Sequence, residues 1–317
     1  MSNLNKNPNP NPNSGPFYCS PKSNQSGRGK KSSVCLDREG LIHYIKLYNT
    51  NFPNNPIQSS LLDTNEKLVQ KIHQRLSSSC QGHGDWCWAD QSYALTDPKI
   101  QSYYKPKMPD TRYQWLTTTD IDSVLQPYMK IYPEFLYLGA VPLDFDKLNN
   151  YRLSGKDYCY LYGTNGKSKI GGVFNLDTHD KRGSHWVSMF CDLDQNFIAF
   201  FDSAKSNRDP PREIKNLMHN IKRQIERCIH HRLKKYVAGP SKEIAIRFNK
   251  QQKQYGGSEC GVFSCQYILR CLEGEHPEEI FNDPNFTDKT VNFFRGKIFR
   301  PSIHSDNDIF YELGYLK

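Results

Sequence analysis

Two short runs near the middle of the chain carry the apolar, branched and aromatic enrichment of strands. Residues 185–193 and 197–203 are of this kind, and Asp194-Gln195-Asn196 between them is turn chemistry. A tight turn centred on Asp194-Gln195 sets Leu193 opposite Asn196. His185 then faces Ala204, and Asp202 lies diagonally two residues back. Side chains alternate with period 2, so His185 and Asp202 share one face of this hairpin. Diagonal neighbours have Cβ atoms roughly 7–8 Å apart or less, within reach for an imidazole and a carboxylate. A slip of one residue in register would separate them.

Helical spacing appears elsewhere. Val262, Cys265, Ile268, Leu269 and Leu272 recur with a helical period, with Gly274 as a natural stop. They predict a largely buried helix with Cys260 in its first turn. Two further helices are expected near Asp37–Tyr48 and near Leu61–Leu76. The second is drawn from Leu62, Leu68, Ile72 and Leu76, with Asp63 or Thr64 as its cap. A long polar helix is expected over Pro211–Tyr236. Residues 1–34 are mostly Asn, Pro, Ser, Gly and Lys and cannot bury a core, so they read as a disordered tail.

The candidate chemistry sits where these patterns meet. In Gln254-Tyr-Gly-Gly-Ser-Glu-Cys260-Gly-Val-Phe, glycine-rich backbone gives way to an apolar helix. A thiol there faces the positive end of a helix dipole, which favours the nucleophilic thiolate. Base, acid and nucleophile follow in the order His185, Asp202, Cys260. Asp202 would orient His185 and stabilise its cation. The Gln254 side-chain amide could donate to a developing oxyanion beside the Cys260 N–H. Taken singly, each of these residues has a bland role: a His before a strand, an Asp starting a turn, a Cys as a small buried hydrophobe. Order, shared face and the glutamine together point to covalent cysteine catalysis.

Gly-Ser-His185-Trp186, Phe201-Asp202-Ser203 and Gln254-x5-Cys260-Gly261-Val262-Phe263 resemble the signature of the ubiquitin-like-protein-specific cysteine proteases, the clan of the SUMO proteases and the adenovirus maturation protease. Trp115-Leu116-Thr117-Thr118-Thr119-Asp120-Ile121 is similar to that family's early Trp-Leu element. The resemblance runs from about residue 109 to the C-terminus, with Glu259 standing where the family usually has Asp. It implies an α+β fold whose central mixed sheet of about five strands packs on the helix bearing the nucleophile. It also implies His185 as base, Asp202 as its orienter, Gln254 as oxyanion donor and Cys260 as nucleophile. Trp186 would be a lid, and with Trp115 would bind substrate in a narrow channel that takes Gly-Gly before the scissile bond. No cofactor or metal is implied. Residues 35–108 match no SUMO-protease motif and resemble the helical N-terminal arm of related proteases from large DNA viruses, as does the run Cys80–Gln91. The expected organisation is therefore a tail over 1–34, a helical arm over 35–108 and a protease domain over 109–317.

Composition narrows the class. The 317 residues are 37% hydrophobic and 13% aromatic, enough for one large domain plus an accessory segment. No apolar run approaches the ~18 residues of a membrane span, and the start Met1-Ser-Asn-Leu-Asn-Lys-Asn-Pro lacks a signal core. These features read as an intracellular protein, in host cytoplasm and virion if viral, and not secreted. The ten cysteines, irregularly spaced, then read as free thiols. Cys80, His83 and Cys87 could ligate zinc, but the spacing is not a standard pattern and a structural loop is favoured. Cys228, His230 and His231 form a weaker cluster on a polar helix face.

The net charge is +9. Lys215, Lys222, Arg223, Arg227, Arg232, Lys234 and Lys235 make a basic stripe within helix 215–235. It suits a solvated face or an acidic partner such as nucleic acid or a ubiquitin-like protein. Four functions follow: a thiol protease maturing viral structural polyproteins at Gly-Gly-X sites, a protease acting on ubiquitin-like modifiers, a non-catalytic module binding such modifiers, or a nucleic-acid-binding protein. The intact triad favours the first two.

Overall fold

The computed structural model describes residues 16–21, 23, 33–81, 83–204, 209–233 and 243–316, the side chains of 229–233 excepted. These fall into two compact units, one formed by residues up to Arg112 together with Arg295 onward, the other by Tyr113–Phe294.

In the first unit, helix α1 (Arg38–Asn51) is capped by Asp37, whose carboxylate accepts from Gly40 N. Helix α2 (Asn65–Cys80) is capped by Thr64, which accepts from Lys67 N. Asp63, the other candidate cap, instead takes Lys67 at 2.9 Å and Lys71 at 2.6 Å. Leu62 departs from the expected stripe. It precedes the helix and is 92% exposed, while Leu68, Ile72 and Leu76 face the core. The N-terminal tail also differs from expectation where it is described. Cys19 is buried and bonded to Cys35, and Phe17 stacks on Tyr315 at 4.1 Å. A covalent link and stacked aromatics supply the ordering energy that the polar composition lacks. Most of residues 1–34 lies outside the described residues. Residues 295–317, expected within the protease domain, pack in this first unit. Fully buried Arg300 reaches Asp90 at 2.6 Å, and its carbonyl accepts from Met108 N.

Six of the cysteines are paired: Cys19–Cys35, Cys80–Cys87 and Cys159–Cys228, against the expectation of free thiols. The Cys80–Cys87 bond takes both sulfurs from any zinc site there. Disulfides persist in oxidising surroundings, so the cysteines no longer argue for a reducing compartment. No described helix is long and apolar enough to cross a membrane.

The second unit is built on a mixed five-stranded sheet in the order β1 (Phe135–Pro142), β2 (Lys169–Asn175), β3 (Trp186–Asp192), β4 (Phe197–Phe201) and β5 (Ala245–Phe248). The outer pairs are parallel and the inner pairs antiparallel. Strand β3 is buried along its whole length, as a central strand covered on both faces must be. One cover is helix α4 (Arg212–Leu233), whose Ile214, Leu217, Met218, Ile221 and Ile225 meet Val187, Met189 and Cys191. Each such side chain contributes about 1.5–3 kcal/mol by leaving water. The other is helix α5 (Cys260–Leu272), ended as expected at Gly274, whose φ is +96°. Phe201 stacks on Tyr267 of α5 at 4.9 Å, joining the strand before Asp202 to the helix of Cys260. Helix α3 (Thr118–Leu125), opened by a Thr117/Asp120 capping box, lies before the sheet in sequence, and helix α6 (Asp288–Ile298) follows α5.

Candidate active site

The β3–β4 register pairs Asp192 with Phe197 and Ser188 with Phe201, the pairing set by a turn at Asp194-Gln195. Asn196 completes that turn at φ +59°, a left-handed conformation Asn tolerates. His185 and Asp202 therefore end up side by side. His185 Nε2 lies 2.7 Å from Asp202 Oδ1, and both side chains are largely buried. Nδ1 remains for Cys260, the side chain's second hydrogen-bond partner. Burial alone would lower the imidazole pKa. The bonds to Asp202 and Cys260, with their charges, outweigh it and push His185 up to about 9. The arrangement holds a charged imidazolium beside the Cys260 sulfur at neutral pH.

Cys260 is the first residue of α5 and is 3% exposed. Its N–H belongs to the first turn, where no intrahelical acceptor exists. Gln254 is buried, and its amide is oriented by two bonds. Oε1 accepts from Ser203 Oγ at 2.7 Å, and Nε2 donates one proton to Gly256 O at 3.0 Å. The second Nε2 proton is left for a substrate oxygen. Glu259, just before Cys260, is 5% exposed and accepts from Ser258 N at 2.9 Å and Asn292 Nδ2 at 3.1 Å. Burial would raise its pKa, but these donors hold it below the usual carboxylate range.

A groove of about 420 Å³ opens beside His185, walled by Trp115, Leu116, Trp186, Tyr151 and His179. The two tryptophans differ. Trp115 is 49% exposed, whereas Trp186 is 6% exposed and donates its Nε1–H to Leu116 O at 2.8 Å. Leu116 in turn packs on Gly261, where a Cβ would lie 3.0 Å from Leu116 Cβ. The Trp-Leu element thus bridges the His185 strand and the Cys260 helix. Trp186→Phe removes the donor and strands the Leu116 carbonyl, which costs roughly 1–3 kcal/mol. We expect KM to rise about tenfold, the equivalent of ~1.4 kcal/mol, with the rate of Cys260 alkylation unchanged. A parallel loss of alkylation would instead mean that the triad itself had moved.

Three polar residues absent from the sequence-based site support it. Asn249 Oδ1 accepts from Asp202 N at 2.9 Å and its Nδ2 donates to Asp202 O at 2.8 Å, clamping the acid's backbone. Asn175, at the end of β2, accepts from Ser184 N at 3.2 Å and Asp177 N at 3.0 Å. It leaves no room for a side chain at Gly183, where φ is +90° and a Cβ would sit 2.8 Å from Asn175 Nδ2. Asp288 anchors the Gln254 loop. All three are polar residues beyond a strand or at a helix start, a pattern shared by ordinary turn and cap residues, so nothing in the sequence marks them.

The basic stripe is less free than its sequence suggests. Lys222 pairs with Glu243 at 2.8 Å and Glu226 at 3.6 Å, and Lys215 pairs with Asp209. The backbone of Lys234 and Lys235 and the side chain of Arg232 lie outside the described residues, as do the side chains of His230 and His231. Cys228 of that cluster is bonded to Cys159. Among the described residues no group of three or more His, Cys, Asp or Glu could hold a metal ion.

Residues 174–306 match the model of the Ulp1 protease family, C-terminal catalytic domain. Protein R355 of Acanthamoeba polyphaga mimivirus, which carries a thiol-protease name, is 27% identical over 289 residues, spanning 86% of this chain and 90% of that protein. A shorter stretch of 87 residues, 27% of this chain and 20% of the relative, is 24% identical to the deubiquitinase and deneddylase Dub1 of Chlamydia trachomatis. The crystal structure of the ASFV pS273R protease has the same fold, with a TM-score of 0.57 at 19% identity, covering 90% of this chain and 96% of that one.

Proposed function

We propose that this chain, an Ulp1-like cysteine protease, hydrolyses peptide bonds after Gly-Gly and matures viral structural polyproteins. One observation carries the chemistry: His185, bonded to Asp202 at 2.7 Å and to Cys260, stands at the mouth of a groove walled by Trp115 and Leu116. Bulky walls beside His185 favour residues without side chains before the scissile bond. The viral role is supported by the length over which the chain resembles the mimivirus protein, 86% of this chain and 90% of that one.

The steps follow from the geometry. The proton shared by Cys260 and His185 sits on His185 Nδ1, and the Cys260 sulfur attacks the carbonyl carbon, forming a C–S bond as the carbonyl π electrons move to oxygen. The oxyanion meets the Cys260 N–H and the free Gln254 Nε2 proton. Collapse breaks the C–N bond as His185 returns its proton to the leaving amine. Water, deprotonated by His185, then attacks the thioester and releases the acid and the thiolate. The protein substrate is the partner, and no cofactor takes part.

A second role, release of ubiquitin-like modifiers, is favoured by the short match to a deubiquitinase. A Gly-Gly-X peptide library run beside SUMO and ubiquitin fusions separates the two. We expect cleavage after the second glycine in short peptides. Processing of the folded fusions alone, with every peptide intact, would overturn the polyprotein role.

A further inference from the structure

The loop from Gln254 to Cys260 is held by the first turn of α6. Asp288 Oδ2 accepts from Tyr255 N at 2.9 Å and from Gly256 N at 3.0 Å. One turn on, Asn292 Nδ2 donates to Glu259 Oε1 at 3.1 Å. Positions 288 and 292 lie four apart on one helix face, so a single rigid element grips the loop at two places. Tyr255 itself is 79% exposed, so its side chain contributes little hold.

The grip matters because of what the loop is made of. Gly256 and Gly257 are adjacent, and glycine has the most torsional freedom to lose. A Cβ at Gly256 would lie 2.5 Å from Glu259 Oε2 and would push that carboxylate off its bonds to Ser258 and Asn292. The Gly256 carbonyl takes one Nε2 proton of Gln254 and thereby aims the other. That carbonyl belongs to the next peptide, joined to the held 255–256 peptide through the Gly256 Cα; if the held peptide swings, the carbonyl is displaced with it and the second N–H leaves the oxyanion position. Carboxylate-to-backbone bonds are the strong kind of hydrogen bond suited to holding such a peptide.

We propose that Asp288 is a positioning residue for the oxyanion site, fixing the Tyr255–Gly256 peptide so that the Gln254 amide points at the developing charge. This rests on the proteolytic reaction proposed above. Asp288 touches no reacting atom and acts through Gly256 and Gln254. The side chains of the triad make none of these contacts: His185 takes its bonds from Asp202 and Cys260.

The test separates chemistry that forms an oxyanion from chemistry that does not. Iodoacetamide alkylates the thiolate without one, while a Gly-Gly peptide aldehyde forms a tetrahedral adduct that must place its oxygen in the hole. In Asp288→Ala we expect kcat to fall about 10–100-fold, with KM within about threefold and aldehyde affinity falling with kcat. Iodoacetamide labelling of Cys260 should stay within about twofold, because the helix start and the imidazole beside the sulfur are untouched. Asp288→Asn should recover most of the loss, since its amide oxygen can accept both backbone N–H groups. Wild-type kcat in Asp288→Ala overturns the proposal. So does an equal loss of alkylation and aldehyde binding, or a failure of Asp288→Asn to do better than Ala. A wild-type protein that is alkylated but neither cleaves Gly-Gly peptides nor binds the aldehyde overturns the proteolytic reading, and this inference with it, before any variant is made.

Discussion

The Cys260→Ser variant folds normally and loses turnover by about 10⁴-fold or more, because a hydroxyl beside the same imidazolium is a far weaker nucleophile than a thiolate. The fold survives because the two side chains differ by one atom at a site already 3% exposed. Alkylation gives an independent check. Six cysteines are locked in disulfides, and Cys191, Cys260, Cys265 and Cys271 stand outside any disulfide. Burial pushes the Cys191 and Cys271 thiols well up, away from the reactive thiolate. Cys265 is buried in the middle of α5, without the dipole end or the imidazole. Iodoacetamide on the native protein should therefore mark Cys260 first, and the Ser variant should lose that rapid phase. Turnover that persists in Cys260→Ser would remove the nucleophile from the mechanism.

What the sequence made legible was local or periodic. The β3–β4 hairpin could be registered from alternation plus one turn, and that register alone brings His185 to Asp202. The α5 helix could be read from its apolar period, with its start at the cysteine and its stop at Gly274. What stayed hidden depends on contacts between distant segments. Asn249 clamps Asp202 across 47 positions, and Asp288 holds Tyr255 across 33; a lone Asn or Asp carries no period. Disulfide pairing is of the same kind, since nothing in the spacing joins Cys159 to Cys228 across 69 residues. The last segment misled because the protease domain was drawn through to the C-terminus, whereas buried Arg300 finds Asp90 across 210 positions. Leu62 misled in the opposite way. It fits a helical period by spacing alone, but the Thr64 cap starts the helix after it.

Asp202→Asn should lower kcat/KM by about 10²–10⁴-fold with little change in melting temperature. The amide can still accept from Nε2, so the ring stays oriented, but the charge that stabilises the imidazolium is gone. That loss has a signature in pH. His185 is raised to about 9, with Asp202 the largest favourable partner against the opposing effect of burial. A raised histidine pKa means that the protonated form, and the stability it brings, is fully present below the ordinary value near 6.5 and is lost as pH climbs through about 9. The wild-type kcat/KM profile should accordingly fall on its alkaline side near pH 9, where the imidazolium that protonates the leaving amine disappears. In Asp202→Asn the carboxylate charge no longer opposes burial, and the alkaline limb should move down towards neutral pH. Titration of the variant against a Gly-Gly-X peptide between pH 5 and 10 measures this directly. An alkaline limb still near pH 9 would show that Asp202 does not support the imidazolium, and a variant that unfolds would make it a structural turn residue instead.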